Sequence, residues 1–366
     1  MTLRGAAAII GIGELPTQRT TTGRSMIGLM GDAARIAIHD AHLRPKDIDG
    51  LVTEGGSIYP GFASEYLGIR PKFASGSSMM GASGPTGVLL AAMAVQNGLA
   101  NNVLVVIGTA RNPAIPPAAD GRPSYRGEFE DPYGMSAGAN TGYGMIYKRH
   151  MEEYGTTEEQ FAKMAVNQRF NTLENENSVF KGQPITHEDV MSSRYVNYPI
   201  KLLETVMPCG GAAAVVVTTA ERANASLNKP VYILGGGAAA DPLTGWHRDK
   251  LTESPVARSA PLAFEMSGYT PRDMQFAQFY DCYTILEAMC LEDAGLVPKG
   301  EIGNFFDSTD TTYKGEFPIN TDGGQLSSGQ PGLAGGFRHV VEAARQIMGK
   351  AGVRQIEKND IGLVNG

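Results

Sequence analysis

The sequence has 366 residues, with 31 Lys and Arg against 38 Asp and Glu, so its formal net charge is 31 − 38 = −7. This length predicts two or three domain-sized units with enough apolar material for a large core. The negative charge argues against a general nucleic-acid binder, because phosphate contacts need a basic surface. No apolar run approaches the roughly 18 residues of a membrane span, and the N-terminus lacks a signal-peptide pattern. Three cysteines cannot build a disulfide framework, which indicates a reduced cytoplasm.

Short apolar runs alternate with helical patterns in the first third of the chain. The predicted elements are a strand at 6–11, a helix from Ser25 to about 42, a strand at 51–53, a helix at 84–96 and a strand at 103–107. Strands alternating with helices predict an α/β sheet that is covered on both faces.

The next stretch, from 112 to about 143, is rich in proline and poor in aliphatic residues. It predicts a long surface excursion, and such excursions often build functional sites. A capping box at 156–159 then predicts a helix through about 170, and 212–218 has the pattern of a buried strand. A polar connector follows, and 231–234 begins a second α/β run.

The second run repeats features of the first. Two pairs of segments carry the repeat: residues 41–48 with 267–274, and residues 81–107 with 329–364. In the second pair, a glycine-rich turn leads into a helix and then into a strand. Two copies at so long a period do not make a solenoid, so they predict two similar halves packed together.

Common cofactor and nucleophile motifs are absent or broken in the sequence. Gly11-Ile-Gly13 begins like a dinucleotide fingerprint, but Pro16 stands where the last glycine should be. There is no P-loop, no HExxH and no paired CxxC, so we expect no metal site. The segment Gly81-Ala-Ser-Gly-Pro85 misses the nucleophile elbow at its final position.

Four segments, in the right order over nearly the whole chain, resemble the thiolase superfamily. They are Gly81-Ala-Ser-Gly84, Gly210-Gly-Ala-Ala-Ala214, Tyr280-Asp-Cys-Tyr-Thr284 and Asn320-Thr-Asp-Gly-Gly-Gln-Leu-Ser-Ser-Gly-Gln-Pro331. They resemble the family's Cys-Gly-Ser-Gly turn, Asp-Gly-Ala-Ala strand entry, His-Asp-Cys-Phe segment and Asn-x-x-Gly-Gly…Gly-His-Pro segment. The branch with the most similar pattern is the sterol-carrier-protein-X type, including lipid-transfer-like homologues.

The resemblance implies an α/β thiolase fold. It implies two similar βαβαβαββ halves that form five layers, α-β-α-β-α. We assign the N-terminal half to 1–225, with an inserted loop domain at about 112–195, and the C-terminal half to 226–366.

Several positions depart from the family pattern. Gly81 occupies the position of the nucleophilic cysteine, Gln330 replaces the histidine of Gly-His-Pro, and Tyr280 stands where relatives have Asn or His. The family's second reactive cysteine belongs to a C-terminal loop that would extend beyond Gly366, so we expect the printed sequence to lack a tail.

The departures change the expected chemistry. Without a thiolate the chain cannot form the usual acyl-enzyme, but an oxyanion hole for a thioester enolate can survive. Such a hole suits retro-aldol cleavage of a β-hydroxyacyl-CoA. We predict that Tyr280 transfers the proton as a base, that Gln330 donates to the oxyanion and that Asp281 assists. The resemblance also implies substrate-binding positions, namely Gly81, Ser83, Asn320, Gly323 and Gly324. Steroid side-chain aldolases of this superfamily resemble the pattern at Tyr280, but have a second tyrosine where this chain has Gln330.

Each of these residues also has a structural interpretation. Tyr280 could be a core tyrosine, and Asp281 could cap a helix over 284–293. Gln330 could hydrogen-bond to the backbone and never meet a substrate. Cys282 and Cys290 have the pattern of buried thiols.

Three functions therefore stay open. The first is a carbon–carbon lyase that acts on a bulky β-hydroxyacyl-CoA. The second is an acyl-CoA C-acyltransferase for a bulky or aromatic β-ketoacyl-CoA such as benzoylsuccinyl-CoA. Its nucleophile would lie in a tail, on a partner, or at Cys209 or Ser83; otherwise free CoA would attack the substrate directly. The third is a non-catalytic acyl-CoA-binding subunit.

The resemblance also implies partners and a ligand. We expect a homodimer that pairs through the strand near 103–107, joined by a small zinc-ribbon and OB-fold subunit in an α2β2 complex. No tightly bound cofactor is expected, because coenzyme A enters as part of the substrate. Arg248, Lys250 and Arg258 are candidate cations for its phosphates. Their other interpretation is a solvated face.

Overall fold

The computed structural model describes residues 3–54, 59–112, 139–241 and 248–366. Most of the proline-rich stretch, and the first part of the predicted loop domain, lie outside these residues. Within them, no helix is long and apolar enough to cross a bilayer.

Ten strands are described. They are β1 (Ala7–Glu14), β2 (Gly50–Glu54), β3 (Phe73–Ser77), β4 (Asn102–Thr109), β5 (Tyr195–Asn197), β6 (Ile200–Lys201), β7 (Gly211–Thr219), β8 (Val231–Ile233), β9 (Phe276–Gln278) and β10 (Gly362–Val364).

Twelve α-helices are described. They are α1 (Met26–Asp40), α2 (Tyr59–Leu67), α3 (Ser83–Gln96), α4 (Ala139–Tyr154), α5 (Glu158–Thr172), α6 (His187–Ser192), α7 (Ala220–Ala223), α8 (Val256–Ser267), α9 (Thr284–Asp293), α10 (Ile302–Ser308), α11 (Gly324–Ser328) and α12 (Ala334–Ile347).

A six-stranded mixed sheet forms the centre of the first half, in the order β3-β2-β4-β7-β1-β8. Strand β2 is parallel to β3 and to β4, whereas β7 is antiparallel to β4 and to β1. Side chains of β4 alternate between two cores. Val103 and Val105 pack with α3 and α12, while Leu104 and Val106 pack with α1. Both faces of the sheet are therefore covered, as the apolar run predicts.

Helix α12 lies between the six-stranded sheet and the sheet of β9 and β10. Its residues Phe337 and Val341 pack toward the six-stranded sheet, and Ala343 packs with Phe276 of β9. Strands β9 and β10 form a two-stranded parallel sheet, whose other side packs on α9. The layers run α1, large sheet, α3 with α12, small sheet and α9, which confirms the expected α-β-α-β-α order.

The internal repeat is confirmed at the level of local structure. Short 3₁₀ turns at Pro45–Asp47 and Pro271–Asp273 each lead from a helix to a strand, β2 or β9. Helices α3 and α12 have 14 residues each and follow the two glycine-rich turns. Ser25 caps α1 by accepting a hydrogen bond from the N–H of Gly28.

Two sequence-based expectations about strands are wrong. Strand β4 cannot join two copies through its edge, because β2 and β7 occupy both of its sides; the edges of this sheet are β3 and β8. Strand β8, assigned from sequence to the second half, pairs antiparallel with β1 of the first sheet. An apolar run shows that a strand is buried, but not which strand lies beside it.

Six buried charges join β1 to the C-terminal half. Arg338 and Arg345 of α12 both pair with Glu14 of β1, and Arg345 and Arg354 pair with Glu342. Asp322, the sixth charge, lies 3.6 Å from Arg338. Burial by itself would raise the pKa of Glu14, but the two arginines outweigh it and lower the pKa to about 2. The carboxylate is therefore ionised in the folded protein at any pH above that value.

We expect stability to depend on Glu14 in acid. The unfolded pKa is 4.5 and the folded pKa about 2, so the contribution is complete above pH 4.5 and disappears as the pH falls toward 2. It amounts to roughly 3 kcal/mol at most. Urea unfolding followed by circular dichroism between pH 7 and 3 should show a smaller pH dependence for Glu14→Gln than for wild type.

The control is Glu65→Gln, which removes an exposed carboxylate of α2. Its pH dependence should stay close to that of wild type. Identical slopes for Glu14→Gln and wild type between pH 5 and 3 would contradict the role of the buried network.

Candidate active site

Gly81 and Tyr280, which are far apart in sequence, meet at the centre of the candidate site. Gly81 lies in a 3₁₀ turn, Met80–Ala82, just before α3, and Tyr280 follows β9. A Cβ atom built on Gly81 would overlap the phenol ring and lie 2.5 Å from its Oη atom. The ring therefore fills the space that a side chain at position 81 would need.

Gln330 is the hydrogen-bond partner of Tyr280. Its Nε2 atom donates to Tyr280 Oη at 3.1 Å, and both side chains are partly exposed. Its backbone is held on both sides, because its N–H donates to the carbonyl of Met207 and its carbonyl accepts from Cys209. This bond uses an oxygen lone pair of the phenol, so the phenolic hydrogen is available to a substrate.

The phenol of Tyr280 is neutral in this environment. Burial raises its pKa above the ordinary value of 10, and the nearby Cys282 raises it further; the bond from Gln330 acts in the opposite direction but is weaker. A phenolate at neutral pH is thus disfavoured, and the part that Tyr280 takes in proton transfer stays a prediction. The phenol is suited to donate a proton or to relay one.

Two helices begin beside this phenol. Neither α3 nor α12 has a side chain that caps its N-terminus. A Cβ built on Gly336, in the first turn of α12, would overlap the carbonyl oxygen of Gly81 and lie 3.0 Å from Cδ2 of Tyr280. The positive ends of two helix dipoles therefore lie next to the phenol, where they favour a developing negative charge.

Asp281 lies behind Tyr280 and is fully buried. Its carboxylate accepts hydrogen bonds from the N–H groups of Gln325 at 2.9 Å and Leu326 at 3.1 Å, in the first turn of α11. It does not cap α9, whose N-cap residue Tyr283 makes no side-chain capping bond. Asp281 thus holds the glycine turn in place, and its predicted assistance in the reaction stays a prediction.

The glycine turn itself is tightly constrained. Gly323 and Gly324 have φ angles of 95° and 59°, a left-handed conformation that favours glycine. A Cβ on Gly324 would overlap Asp281 Oδ2, and the N–H of Gly324 donates to Asp322 at 2.9 Å. Asn320 clamps the backbone before Tyr280, because its amide both donates to and accepts from Phe279. With its amide engaged and fully buried, Asn320 positions the chain, and its contact with a substrate stays a prediction.

Ser83 has a structural role as well. Its buried hydroxyl donates to the carbonyl of Met80 at 2.7 Å and accepts from the N–H of Met79 at 2.9 Å. It therefore fixes the turn around Gly81. Both hydroxyl bonds are local, so they favour the structural role; the predicted substrate contact and the serine nucleophile stay predictions.

None of the three cysteines has the properties of a nucleophile. All are buried thiols without a disulfide. Burial raises the pKa of Cys209 and of Cys282, and raises that of Cys290 to about 12. A thiolate is the reactive form, so these environments argue against covalent catalysis by any of them.

Arg248 and Lys250 are not joined to the Tyr280 cluster by any polar contact within the described ranges. Arg248 donates to the carbonyl of Glu253 and lies 3.8 Å from Asp241; Lys250 lies 3.4 Å from the Glu253 carboxylate. Arg258 also pairs with Asp241. The exposed side chains of Lys250 and Arg258 fit a solvated charged face, whereas Arg248 is largely buried; the predicted phosphate contacts of all three stay predictions.

Sequence analysis missed His339 of α12. Its ring packs against the ring of Tyr280 with centroids 6.4 Å apart, and its Nε2 atom lies 3.2 Å from Asp281 Oδ1. Its spacing in the sequence could have indicated it, because His339 is three residues after Gly336 and so lies on the same helix face.

We expect Gly81→Ala to destabilise the protein only while the Tyr280 ring is present. The added methyl group overlaps the ring, and such overpacking costs about 1–3 kcal/mol. In a Tyr280→Ala background the ring is gone, so the same substitution should cost much less. Urea unfolding of the two single variants and the double variant measures this coupling.

Gly61→Ala in α2 is the control, since a Cβ there meets nothing within 4 Å. It should leave stability unchanged or slightly higher. Equal losses for Gly81→Ala with and without the Tyr280 ring would refute the contact.

Comparison with known proteins places this geometry in a family. A family model described as thiolase C-terminal domain-like matches residues 237–366. The 17-hydroxy-3-oxo-4-pregnene-20-carboxyl-CoA lyase of Mycobacterium tuberculosis is 32% identical over 365 residues, covering 95% of this chain and 92% of that protein. An acetyl-CoA acetyltransferase of Methanothermobacter thermautotrophicus is 30% identical over 355 residues, covering 92% and 90%.

A solved structure of the Ltp2–ChsH2(DUF35) aldolase superposes with a TM-score of 0.90 and 31% identity, covering 99% of this chain and 94% of that one. The superposed fold and the similarity over nearly the full length agree with one another. The chain therefore belongs to the thiolase superfamily.

Proposed function

We propose that this protein is a carbon–carbon lyase that cleaves a bulky β-hydroxyacyl-CoA by retro-aldol chemistry. The observation that carries the proposal is the neutral phenol of Tyr280, which occupies the space beside Gly81 where a nucleophilic side chain would stand. The site can hold negative charge and move a proton, but it offers no group for a covalent acyl intermediate.

The reaction needs one proton to move from oxygen to carbon. The β-hydroxyl proton passes to Tyr280 Oη while the phenolic proton passes to Cα, so the phenol stays neutral overall. The Cα–Cβ bond breaks, its electron pair goes to Cα, and an aldehyde or ketone leaves together with a shortened acyl-CoA. The second N–H of Gln330 and the two helix ends stabilise charge on the thioester oxygen.

The names of the relatives support two chemistries. One relative is named as a lyase and another as an acetyltransferase, at nearly equal identity. The buried, protonated cysteines favour the lyase, because an acyltransferase needs a thiolate. Acyl transfer from a bulky or aromatic β-ketoacyl-CoA is the second candidate; it requires free CoA and is blocked by a thiol alkylator if a cysteine takes part.

Assembly with other subunits is also part of the proposal. We infer a homodimer and a small zinc-ribbon and OB-fold subunit in an α2β2 complex; a solved relative is titled as a complex of two proteins. Strand β3, at the edge of the large sheet, has the unpaired backbone that strand pairing between copies requires. Coenzyme A enters as part of the substrate, and the three free thiols fit the reducing cytoplasm.

We expect Tyr280→Phe to lower kcat by roughly 100-fold or more with little change in KM. The substitution keeps the ring that packs on Gly81 and removes only the group that moves the proton. The assay follows release of a ketone or aldehyde from a panel of β-hydroxyacyl-CoA esters, without free CoA. The panel includes the substrate named for the mycobacterial relative, and reactions run with and without the partner subunit.

Tyr232→Phe is the control, because that hydroxyl lies on β8 and bonds to Asn224. It should have wild-type kcat. Strict dependence of turnover on free CoA and a β-keto substrate would overturn the lyase in favour of acyl transfer. Undiminished turnover in Tyr280→Phe would show that the phenol takes no part in the mechanism. If wild type turns over none of the esters, a non-catalytic subunit is favoured.

The pH dependence of kcat/KM should distinguish the two roles of Tyr280. Because its pKa lies above 10, the protonated phenol predominates at every pH from 6 to 9. If the neutral phenol relays the proton, the ionisation of Tyr280 leaves kcat/KM nearly constant over that range. A phenolate base would instead raise kcat/KM about tenfold per pH unit, and that slope, present in wild type and absent from Tyr280→Phe, would contradict the relay.

A further inference from the structure

His339 and Asp281 form a buried pair directly behind Tyr280. His339 is 1% exposed and Asp281 is 0% exposed. The Nε2 atom of His339 lies 3.2 Å from Asp281 Oδ1, and 3.3 Å from Nε2 of Gln325. Asp281 already accepts two backbone N–H bonds, so it is an acceptor only. The contact with Asp281 is a hydrogen bond when His339 Nε2 carries the hydrogen, and the Gln325 amide then presents its oxygen, not its nitrogen, to the ring.

The pair connects three parts of the site. Asp281 is the next residue after Tyr280 and bonds to the first turn of α11, which follows the glycine turn. His339 brings the same carboxylate into contact with α12, and its ring packs edge-on to the phenol at 6.4 Å. The Nδ1 atom of His339 is buried without a partner in the described chain. The buried ring of His339 makes its polar contacts through Nε2 alone among the described residues, so it depends strongly on them.

We propose that His339 is a positioning residue for the reaction of Tyr280. Its Nε2–H bond fixes the Asp281 carboxylate, and the fixed carboxylate sets both the glycine turn and the direction of the phenol toward Gln330. The inference rests on the proposed function for its kinetic part, but the geometry of the phenol can be measured without turnover.

The test compares three substitutions of His339. Leu removes the N–H donor at similar volume, Gln can place an amide nitrogen near the position of Nε2, and Asn is too short to do so. We expect kcat to fall roughly 10- to 100-fold in His339→Leu and His339→Asn with little change in KM, the scale of one buried charge-assisted hydrogen bond. His339→Gln should stay within about fivefold of wild type.

A second readout does not need a substrate. The protein is labelled with tyrosine carrying ¹³C at Cζ, and the Tyr280 signal among the 14 tyrosines is assigned from Tyr280→Phe. We expect this signal to shift or broaden in the Leu and Asn variants and to keep its position in the Gln variant. If wild type turns over none of the esters, the proposed function fails while this signal still decides the positioning role.

The chain offers a closely matched control at another buried pair. His150 Nε2 lies 3.2 Å from Glu292, the Nδ1 atom of His150 also lacks a partner among the described residues, and Glu292 also accepts two backbone N–H bonds, from Gly300 and Ile302. His150→Leu should lower thermal stability but leave kcat and the Tyr280 signal unchanged.

Two results would overturn the proposal. One is a wild-type Tyr280 signal in His339→Leu. The other is an equal loss of kcat in His150→Leu and His339→Leu, which would mean a general loss of stability. If His339→Leu does not fold, the comparison of His339→Gln with His339→Asn decides. The same kcat and the same Tyr280 signal in these two variants would contradict the proposal.

Discussion

The contact between the Tyr280 ring and the backbone of Gly81 is the constraint on which the site depends. No side chain fits at position 81 while the ring is present, and Gly336 of α12, which also lacks a Cβ, leaves room for the carbonyl of Gly81 beside the ring. The missing side chains at these two glycines and the position of the ring therefore depend on each other. The result is a pocket whose central reactive group is a phenol instead of a thiol.

A rigid polar framework supports that contact. Asn320 clamps the chain before Tyr280, and Asp281 fixes the turn that follows Asn320. Arg338 reaches the carbonyl of Gly329, next to Gln330, and pairs with Glu14 of the large sheet. Buried charges of this kind cost desolvation energy and are tolerated only when fully paired, so they define geometry more than they add stability.

The chemistry follows from the electrostatics of this pocket. Burial keeps the phenol of Tyr280 and the thiols protonated, while the starts of α3 and α12 favour an anion on the substrate. A site that stabilises an enolate but cannot form an acyl adduct performs bond cleavage by proton transfer. Relatives of nearly equal identity carry names of both kinds, because one fold can hold sites of different chemistry.

The sequence by itself determined the layered α/β fold, the repeated halves and the two residues that face each other in the site. Apolar periodicity and glycine spacing are local properties, so they predict buried elements well. The tertiary structure alone decided which groups touch: Asp281 caps α11 and not α9, β8 joins the first sheet, and His339 lies behind Tyr280. Hydrogen-bond partners and strand neighbours depend on long-range packing, and a local pattern carries no information about them.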